Sequence, residues 1–397
     1  MNSNAKALMD NMKDQKKNLI LFYHKNHSDP FNGTSVYINF LLQKLSNNYH
    51  ITAIEPDNGV TESNQVNGFT AHYFFSLLRN VYSRQFKWLI DIFRGRHLTP
   101  PDNTILMVED VYSAPIPLIV SRLKGYDIVY RVADFGKTYS RRLFSKHKID
   151  AFIYGTFRSI LERELVKNSS LIICPSEKLR NLVVENYPYT KDKTIEVPYS
   201  NKECLRTQNI LIGEQSLEAS SQQINLLFLG DCRYPPNYDA AKFILEHVVP
   251  SLEDLKNYYR LSIAGPNSDK LLYSNNPNVR ILGKVEDKEL LLNSSHIGLA
   301  PLQTPGGLSM KVVDYLTHGL HVVATPDGAF GIVPNNQLRV ADFSSFSNIL
   351  HDQIQKELNN RHDRHVICKE VREVYMTDMW TQKLLEKMNK IGDPRNN

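Results

Sequence analysis

Two features common in membrane and secreted proteins, long hydrophobic runs and paired cysteines, are missing from this 397-residue sequence. No window of about 18 uninterrupted apolar residues occurs, so no helix is expected to span a membrane. The polar N-terminal stretch 1–18 lacks the apolar core of a secretory signal. None of the cysteines forms a C-x-x-C pair, which predicts reduced thiols in a cytoplasmic protein. They are Cys174, Cys204, Cys232 and Cys368.

Metal-binding and nucleic-acid motifs are also scarce. The two H-x-x-H pairs, His24/His27 and His362/His365, have no third ligand nearby, and no D-x-D motif stands at a plausible strand end. We therefore expect neither a metal ion nor a cofactor. The net charge of +5 comes from dispersed basic residues without a nucleic-acid motif, so we expect no nucleic-acid partner. An anionic substrate and an anionic membrane surface explain this charge equally well.

The chain does contain a regular alternation of short β-rich runs with helical patterns. Such alternation predicts βαβ units and mostly parallel sheets, and the length suits two domains. We therefore predict an α/β fold with two doubly wound, Rossmann-like domains over 1–205 and 224–369, joined by a polar linker over 206–223 and followed by a helical segment over 370–397. The predicted strands are 18–24, 49–55, 70–75, 103–109, 127–134, 170–176, 194–200, 224–230, 259–265, 278–283, 296–302, 320–325 and 337–342.

Ligands of such sheets bind at the carboxyl ends of the strands. Glycine at a strand end lets the backbone come close to a ligand, although a tight turn without any ligand would also explain it. In the second half we take the following strand-end positions as candidates for ligand binding: Gly230, Cys232, Arg233, Gly283, Val285 and Leu302.

The stretch 306–328 joins a glycine turn to a predicted helix. Ser309 fits the N-cap and Gly319 fits the helix stop. The free N–H groups at the start of a helix bind phosphate. Lys311 places a positive charge at the positive end of the helix dipole, which costs roughly 0.3–1 kcal/mol unless a bound anion compensates it. Asp314, one turn on, can accept ribose hydroxyls; an exposed Lys–Asp surface pair is the alternative. The candidates here are Gly306, Gly307, Ser309, Met310, Lys311 and Asp314.

Two stretches, 227–252 and 276–332, resemble the donor-binding half of GT-B glycosyltransferases. In the large retaining family 4 of these enzymes, the corresponding helix carries a Glu that binds ribose, and a second Glu stands eight positions earlier. Here those positions are Asp314 and Gly306. The ribose carboxylate is thus present as Asp, but the absence of the second Glu counts against plain membership of family 4.

The runs 299–301 (Leu-Ala-Pro) and 309–311 (Ser-Met-Lys) are more similar to the xanthan-type glucuronosyltransferases, which are inverting GT-B enzymes of polysaccharide assembly. This resemblance implies an acceptor-binding first domain, a nucleotide-sugar-binding second domain and a last helix that crosses back to the first. It also implies a nucleotide diphosphate sugar donor, UDP-linked and with glucuronic acid as a candidate sugar. The implied acceptor is a glycan or a polyprenyl-linked oligosaccharide of cell-surface polysaccharide synthesis.

The same family has a strand ending V-Y-R-x-x-D-G, whose aspartate is the catalytic base. Here Val129-Tyr130-Arg131 leads to Asp134, with Phe135 inserted before the glycine. An inverting transfer needs one carboxylate to take the proton of the acceptor hydroxyl, so Asp134 is the candidate base. Alternatively, Asp134 caps a turn or pairs with Arg131. The acceptor-side candidates are Gly33, Thr34, Glu109 and Arg131.

The stretch 79–97 has the composition of a helix that lies on a membrane surface. The predicted apolar face carries Phe86, Leu89, Ile90 and Phe93, and the flanking residues are Arg84, Lys87, Trp88, Arg94 and Arg96. A basic, aromatic, amphipathic helix suits an anionic bilayer, which predicts peripheral contact with the inner face of the cell membrane. A helix packed on its own core with a solvated basic rim fits equally well.

Three other functions stay open at this level. The chain is compatible with a retaining, family 4-like transferase, with a nucleotide-sugar epimerase on the same fold, and with a non-catalytic glycan-binding protein. The missing carboxylate at Gly306 gives the last of these some support.

Overall fold

The computed structural model shows two parallel six-stranded sheets, each flanked by helices. This confirms the predicted α/β class with two Rossmann-like domains. The predicted strand over 70–75 and nearly all of the linker over 206–223 lie outside the residues that the structure describes. Those residues are 16–23, 33–54, 85–90, 100–135, 148–200, 223–273, 276–303, 307–359 and 366–391.

The first sheet has the strand order β2-β1-β3-β4-β5-β6. Alternate residues of its strands enter two different cores; in β1, Leu19 and Leu21 face one helix layer, whereas Ile20 and Phe22 face the other. Burial on both faces explains why β3 is apolar throughout. The strands are β1 (Lys17–Phe22), β2 (Tyr49–Ile54), β3 (Thr104–Val108), β4 (Asp127–Arg131), β5 (Ser169–Cys174) and β6 (Thr194–Glu196), and the helices are α1 (Gly33–Leu45), α2 (Pro115–Lys124), α3 (Lys148–Asn168) and α4 (Glu177–Asn186).

The second sheet has the order β12-β11-β10-β7-β8-β9, so the chain changes direction between β7 and β10. Such a switch point leaves a crevice at the carboxyl ends of the two strands, where doubly wound sheets bind ligands. The strands are β7 (Ile224–Leu229), β8 (Tyr259–Ala264), β9 (Val279–Gly283), β10 (Ile297–Ala300), β11 (His321–Ala324) and β12 (Leu338–Val340), and the helices are α5 (Pro235–Phe243), α6 (Lys288–Ser294), α7 (Met310–Thr317), α8 (Phe346–Asn359), α9 (Lys369–Tyr375) and α10 (Met379–Asn389).

Helix α7 begins and ends where the sequence predicts. Ser309 is its N-cap, and Gly319 adopts a left-handed conformation with φ of 76° just beyond its end. The amides of Gly319 and Leu320 donate to the carbonyls of Leu316 and Tyr315, which is the hydrogen-bond pattern of a glycine-terminated helix. The helix therefore has a defined length and a defined direction over the sheet.

The predicted single helix over 370–390 is two helices in the structure. Helix α9 packs on the second domain through Val371 and Tyr375, whereas Leu384 and Met388 of α10 are buried in the core of the first domain. The chain breaks between them because each helix buries its apolar face in a different core. Lys17 also donates to a carbonyl just beyond α10, at 2.7 Å. Among the described helices, none is long and apolar enough to cross a membrane.

Core packing by α10 leads to a stability prediction. Met388 is fully buried, whereas Met379 of the same helix is 57% exposed. We expect Met388→Ala to lower the free energy of unfolding by about 2–5 kcal/mol, because it leaves a cavity in the first domain. Both tryptophans, Trp88 and Trp380, pack on cores of that domain, so urea unfolding followed by tryptophan fluorescence reports on it.

The matched control is Met379→Ala, which should change the same free energy by less than about 0.5 kcal/mol. Equal losses of unfolding free energy in the two variants would show that α10 does not pack on the first domain through Met388.

Candidate active site

The carboxyl end of β7 forms a tight turn against the start of α5. Gly230 is tightly packed, because a Cβ there would lie 3.0 Å from the side chain of Asn237. Gly265, at the end of the neighbouring strand, packs directly on the carbonyl of Gly230. The side-chain amide of Asn237 donates to the carbonyl of Asp231 at 3.0 Å. This glycine pair therefore brings the backbone of the turn and the first turn of α5 together at the switch point.

Lys311 reaches this turn from α7 on the opposite face of the sheet. Its ammonium donates to Oδ1 of Asn237 at 2.8 Å and lies 4.3 Å from the centre of the Phe228 ring. Burial lowers the pKa of Lys311 to about 7, and a smaller effect of Cys232 opposes this. Both direct partners, an amide and a ring, are neutral. A positive charge here is compensated only in part, so the position suits an anion.

Asp314 points away from Lys311 and toward α6. Its Oδ2 accepts from the ammonium of Lys288 at 3.0 Å, while its Oδ1 is buried and has no hydrogen-bond partner within the described part of the chain. The exposed Lys311–Asp314 pair that the sequence left open is not formed. Asn237 and Lys288, which hold these two groups, carry no signal that the sequence analysis used.

The remaining donor-side candidates are held in several ways. Arg233 is bound by the carboxylate of Asp231 through Nε and Nη2, at 2.9 and 2.6 Å. Burial raises the pKa of Cys232 to about 11, so this thiol stays protonated. Ser309 occupies the N-cap position, but its hydroxyl makes no cap bond and is buried without a partner among the described residues.

The last candidates of this group lie around the same edge. Gly283 ends β9 in a left-handed conformation with φ of 66°. Val285 and Leu302 are half-buried, and the carbonyl of Leu302 accepts from the Thr325 hydroxyl at 2.5 Å. Gly306 lies outside the described residues.

Two close approaches join the domains beside the start of α7. Gly307, with φ of 84°, packs against the carbonyl of Ala133, so that any side chain there would collide with the first domain. Gly33, at the start of α1, lies beside the side chain of Met310, where a Cβ would be 3.0 Å from its Cγ. Thr34 follows and is half-buried. The structure therefore brings the predicted donor-side helix next to the predicted base, which comes one residue after Ala133.

Asp134 is paired with Arg158 of α3, and not with Arg131 as the sequence also allowed. Arg158 donates to the Asp134 carboxylate and, at 3.1 Å, to its backbone carbonyl. Burial alone lowers the pKa of Arg158, but the charge and hydrogen bond of Asp134, together with Tyr112 and Glu162, raise this pKa well above its ordinary value. Asp134 keeps 23% of its side chain exposed, so it is oriented and still accessible. The sequence analysis missed Arg158, because a lone arginine in a long helical pattern carries no distinguishing signal.

Glu109 and Arg131 form an ion pair with each other inside the first domain. Glu109 is completely buried, and the guanidinium of Arg131 lies 4.2 Å from the centre of the Tyr37 ring. Burial raises the pKa of Glu109 well above its ordinary value, and the charge of Arg131 opposes this. The pair joins the carboxyl ends of β3 and β4 and is buried in this structure, whereas the acceptor-side roles of Glu109 and Arg131 stay predictions.

The histidine pairs at His24/His27 and His362/His365 lie outside the described residues. Within the part of the chain that the structure describes, no three histidine, cysteine, aspartate or glutamate side chains come together as metal ligands would.

Comparison with known proteins identifies the class of protein that has this fold and this second domain. Residues 223–355 match the family model described as "Glycosyl transferases group 1". A search of curated proteins finds no match. Among solved structures, sucrose-phosphate synthase from Thermosynechococcus elongatus is 12% identical with a TM-score of 0.66, and the similarity covers 95% of this chain and 99% of that one.

Two further structures share the architecture. Anabaena HepE in complex with UDP and glucose is 12% identical with a TM-score of 0.63, over 95% of this chain and all of that one. A trehalose-6-phosphate synthase studied for glycosyl transfer with retention is 13% identical with a TM-score of 0.62, over 94% and 99% of the two chains.

At such low identity these structures establish the fold alone, which is GT-B: two Rossmann-like domains facing one cleft. The matched region, which spans most of the second domain, adds the chemistry. The chain is a glycosyltransferase.

The buried ion pair of the first domain leads to a second stability prediction. We expect Glu109→Gln to lower the free energy of unfolding by about 3–5 kcal/mol, because it leaves the Arg131 charge buried without a carboxylate. The double variant Glu109→Leu/Arg131→Met should recover most of this loss, since it removes both charges. Urea unfolding followed by tryptophan fluorescence measures both.

The exposed pair Arg122–Glu164 is the control, and Glu164→Gln should change the same free energy by less than about 1 kcal/mol. If Glu109→Gln were as mild as Glu164→Gln, the ion pair would not hold the two strand ends together.

Proposed function

We propose that this glycosyltransferase moves a hexosyl or hexuronosyl unit from a UDP-sugar to a glycan or polyprenyl-linked acceptor in cell-surface polysaccharide synthesis. One observation carries the proposal. On helix α7, beside the switch point, the half-buried Lys311 contacts a neutral amide and an aromatic ring, and the buried carboxylate of Asp314 has one oxygen without a partner among the described residues. A nucleoside diphosphate complements both, since its phosphates supply an anion and its ribose supplies hydroxyl donors.

The choice of UDP is supported by the structural neighbours, because HepE was solved with UDP and with UDP-glucose. Glucuronic acid is the candidate sugar from the sequence resemblance. A thermal-shift screen of UDP-glucose, UDP-glucuronate and other nucleotide sugars identifies the donor, since a ligand that binds only the folded state stabilises it. The nucleotide sugar is a substrate, and the proposal includes no cofactor.

For the chemical step we propose inversion with Asp134 as the base. The acceptor oxygen attacks C1 of the sugar, its proton passes to the Asp134 carboxylate, and the bond from C1 to the diphosphate oxygen breaks. UDP leaves with that electron pair, and Lys311 and the N–H groups at the start of α7 stabilise the added negative charge, so the proposal needs no metal ion. Arg158 keeps the base in place beside Gly307.

For the acceptor we propose peripheral contact with the anionic inner face of the membrane through the helical residues 85–90. Their predicted apolar face is divided in the structure: Trp88 stacks edge-on against Phe22, with ring centres 5.0 Å apart, and Leu89 packs beside it. Phe86 and Ile90 are 52% and 46% exposed. Exposed apolar side chains support contact with a bilayer. Phe93, Arg84, Arg94 and Arg96 lie outside the described residues.

Donor binding should take up protons. At pH 8 a lysine with a pKa of about 7 is mostly neutral, and a bound diphosphate raises that pKa, so UDP binding at pH 8 takes up close to one proton and UDP affinity falls as the pH rises from about 7 to 9. Isothermal titration calorimetry in buffers of different ionisation enthalpy measures this uptake.

Lys311→Met should abolish the proton uptake and weaken UDP binding, whereas Lys256→Met, which removes an exposed lysine of the same domain, should change neither. Wild-type binding of UDP without proton uptake at pH 8 would contradict the assignment of Lys311 to the diphosphate.

Transfer should depend on Asp134. We expect Asp134→Asn to slow transfer by roughly 10²–10⁴-fold while UDP affinity stays unchanged, because the amide cannot accept the proton. Turnover with the identified donor measures the loss, and NMR of the product gives its anomeric configuration.

Asp102→Asn, at an exposed position of the same domain, is the control and should transfer at the wild-type rate. A product with retained configuration would replace the inverting mechanism with the retaining alternative.

A further inference from the structure

Helix α6 is fastened to α7 by two charged contacts. Lys288 donates to Oδ2 of Asp314 at 3.0 Å, and Nε2 of His318 lies 2.7 Å from Oε2 of Glu289. The other ring nitrogen of His318, Nδ1, lies 2.6 Å from the backbone carbonyl of Asp314. The first turn of α6 is thus connected both to the side chain of Asp314 and, through His318, to its main chain.

The histidine contact joins a buried ring to a carboxylate that is 41% exposed. The hydrogen bond with His318 lowers the pKa of Glu289 below its ordinary value. This contact holds α6 against α7 and leaves Lys288 beside the Asp314 carboxylate.

Lys288 decides how the Asp314 carboxylate is presented. Asp314 is only 7% exposed, and Lys288 is the partner of its Oδ2. The other oxygen, Oδ1, is buried without a hydrogen-bond partner among the described residues. A carboxylate oxygen in that position binds a hydroxyl donor strongly, because the new hydrogen bond offsets its desolvation.

We propose that Lys288 is a positioning residue for donor recognition: it holds Oδ2 of Asp314, so that the carboxylate is turned with its other oxygen available for a ribose hydroxyl. This inference rests on the proposed binding of a nucleotide sugar at α7. Lys288 acts through Asp314, and its removal therefore changes the recognition of the ribose hydroxyls and leaves the recognition of the diphosphate intact.

The test compares UDP with 2′,3′-dideoxy-UDP, which lacks both ribose hydroxyls. The wild-type protein should bind UDP roughly 10–100-fold more tightly than the dideoxy analogue, since a hydroxyl bound to an ionised carboxylate contributes about that factor. Lys288→Met should weaken UDP binding by about tenfold or more and leave the affinity for the analogue within about twofold, so that the discrimination collapses. Titration calorimetry gives both constants.

Three companion variants make the result specific. Lys288→Arg should restore most of the discrimination, because it returns the positive charge to Oδ2. Lys256→Met, which removes an exposed lysine paired with Glu253, should retain all of it. Lys288 is 35% exposed, so we expect its variants to fold, and their melting temperatures verify this.

The proposal is overturned if Lys288→Met weakens both ligands equally, which would mark a general electrostatic or structural effect, or if it leaves UDP affinity unchanged or tightens it. The variant Asp314→Asn distinguishes failure of the role of Lys288 from failure of the nucleotide site. If that variant loses the preference for UDP but Lys288→Met keeps it, only the role of Lys288 fails. If Asp314→Asn binds UDP like the wild type, or if the wild-type protein binds no UDP, the proposed nucleotide site fails and the role of Lys288 fails with it.

Discussion

The ammonium of Lys311 lies where helices from opposite faces of the second sheet meet, and much of the site is arranged around it. It bridges α7 to Asn237 of α5 and rests over the ring of Phe228. Asn237 packs closely on Gly230, where a Cβ would lie 3.0 Å from its side chain. Burial makes the charged form of Lys311 unfavourable and lowers its pKa, and its direct partners are neutral. An anion at the switch point would stabilise that charge. We therefore expect the crevice at this switch point to favour an anion.

A second constraint is the closeness of the two domains at the start of α7. Gly307 and Gly33 allow backbone and side chains of opposite domains to touch, and helix α10 ties the end of the chain to the first domain. Asp134 therefore stands within one residue of an interdomain contact, where a base must be if it is to act on a sugar bound to the other domain. Its orientation is secured from behind by Arg158, which binds both its carboxylate and its carbonyl.

The strand pattern was predictable to within a few residues wherever the structure describes it, because a strand buried on both faces reads as a short apolar run whatever its neighbours are. The last helix was not. The pattern over 370–390 has a continuous helical period, but Val371 and Leu384 are buried in the cores of different domains, and periodicity does not say which core receives a given turn. The helix over 85–90 shows the same limit, since Trp88 was expected at its flank and instead stacks on Phe22.

By itself, the amino-acid sequence determined the class of fold, the glycine turns at the strand ends and the position of Lys311 and Asp314 on one helix, since these follow from local periodicity and from the conformational freedom of glycine. Only the tertiary structure decided the partner of each charged side chain. Lys311 binds Asn237, 74 residues away along the chain; Asp134 binds Arg158, and Asp314 binds Lys288. Long polar side chains reach whichever group the packing places near them, and their partners follow no sequence period. Burial then makes those pairings decisive, because an ion without a partner in the interior costs far more than one at the surface.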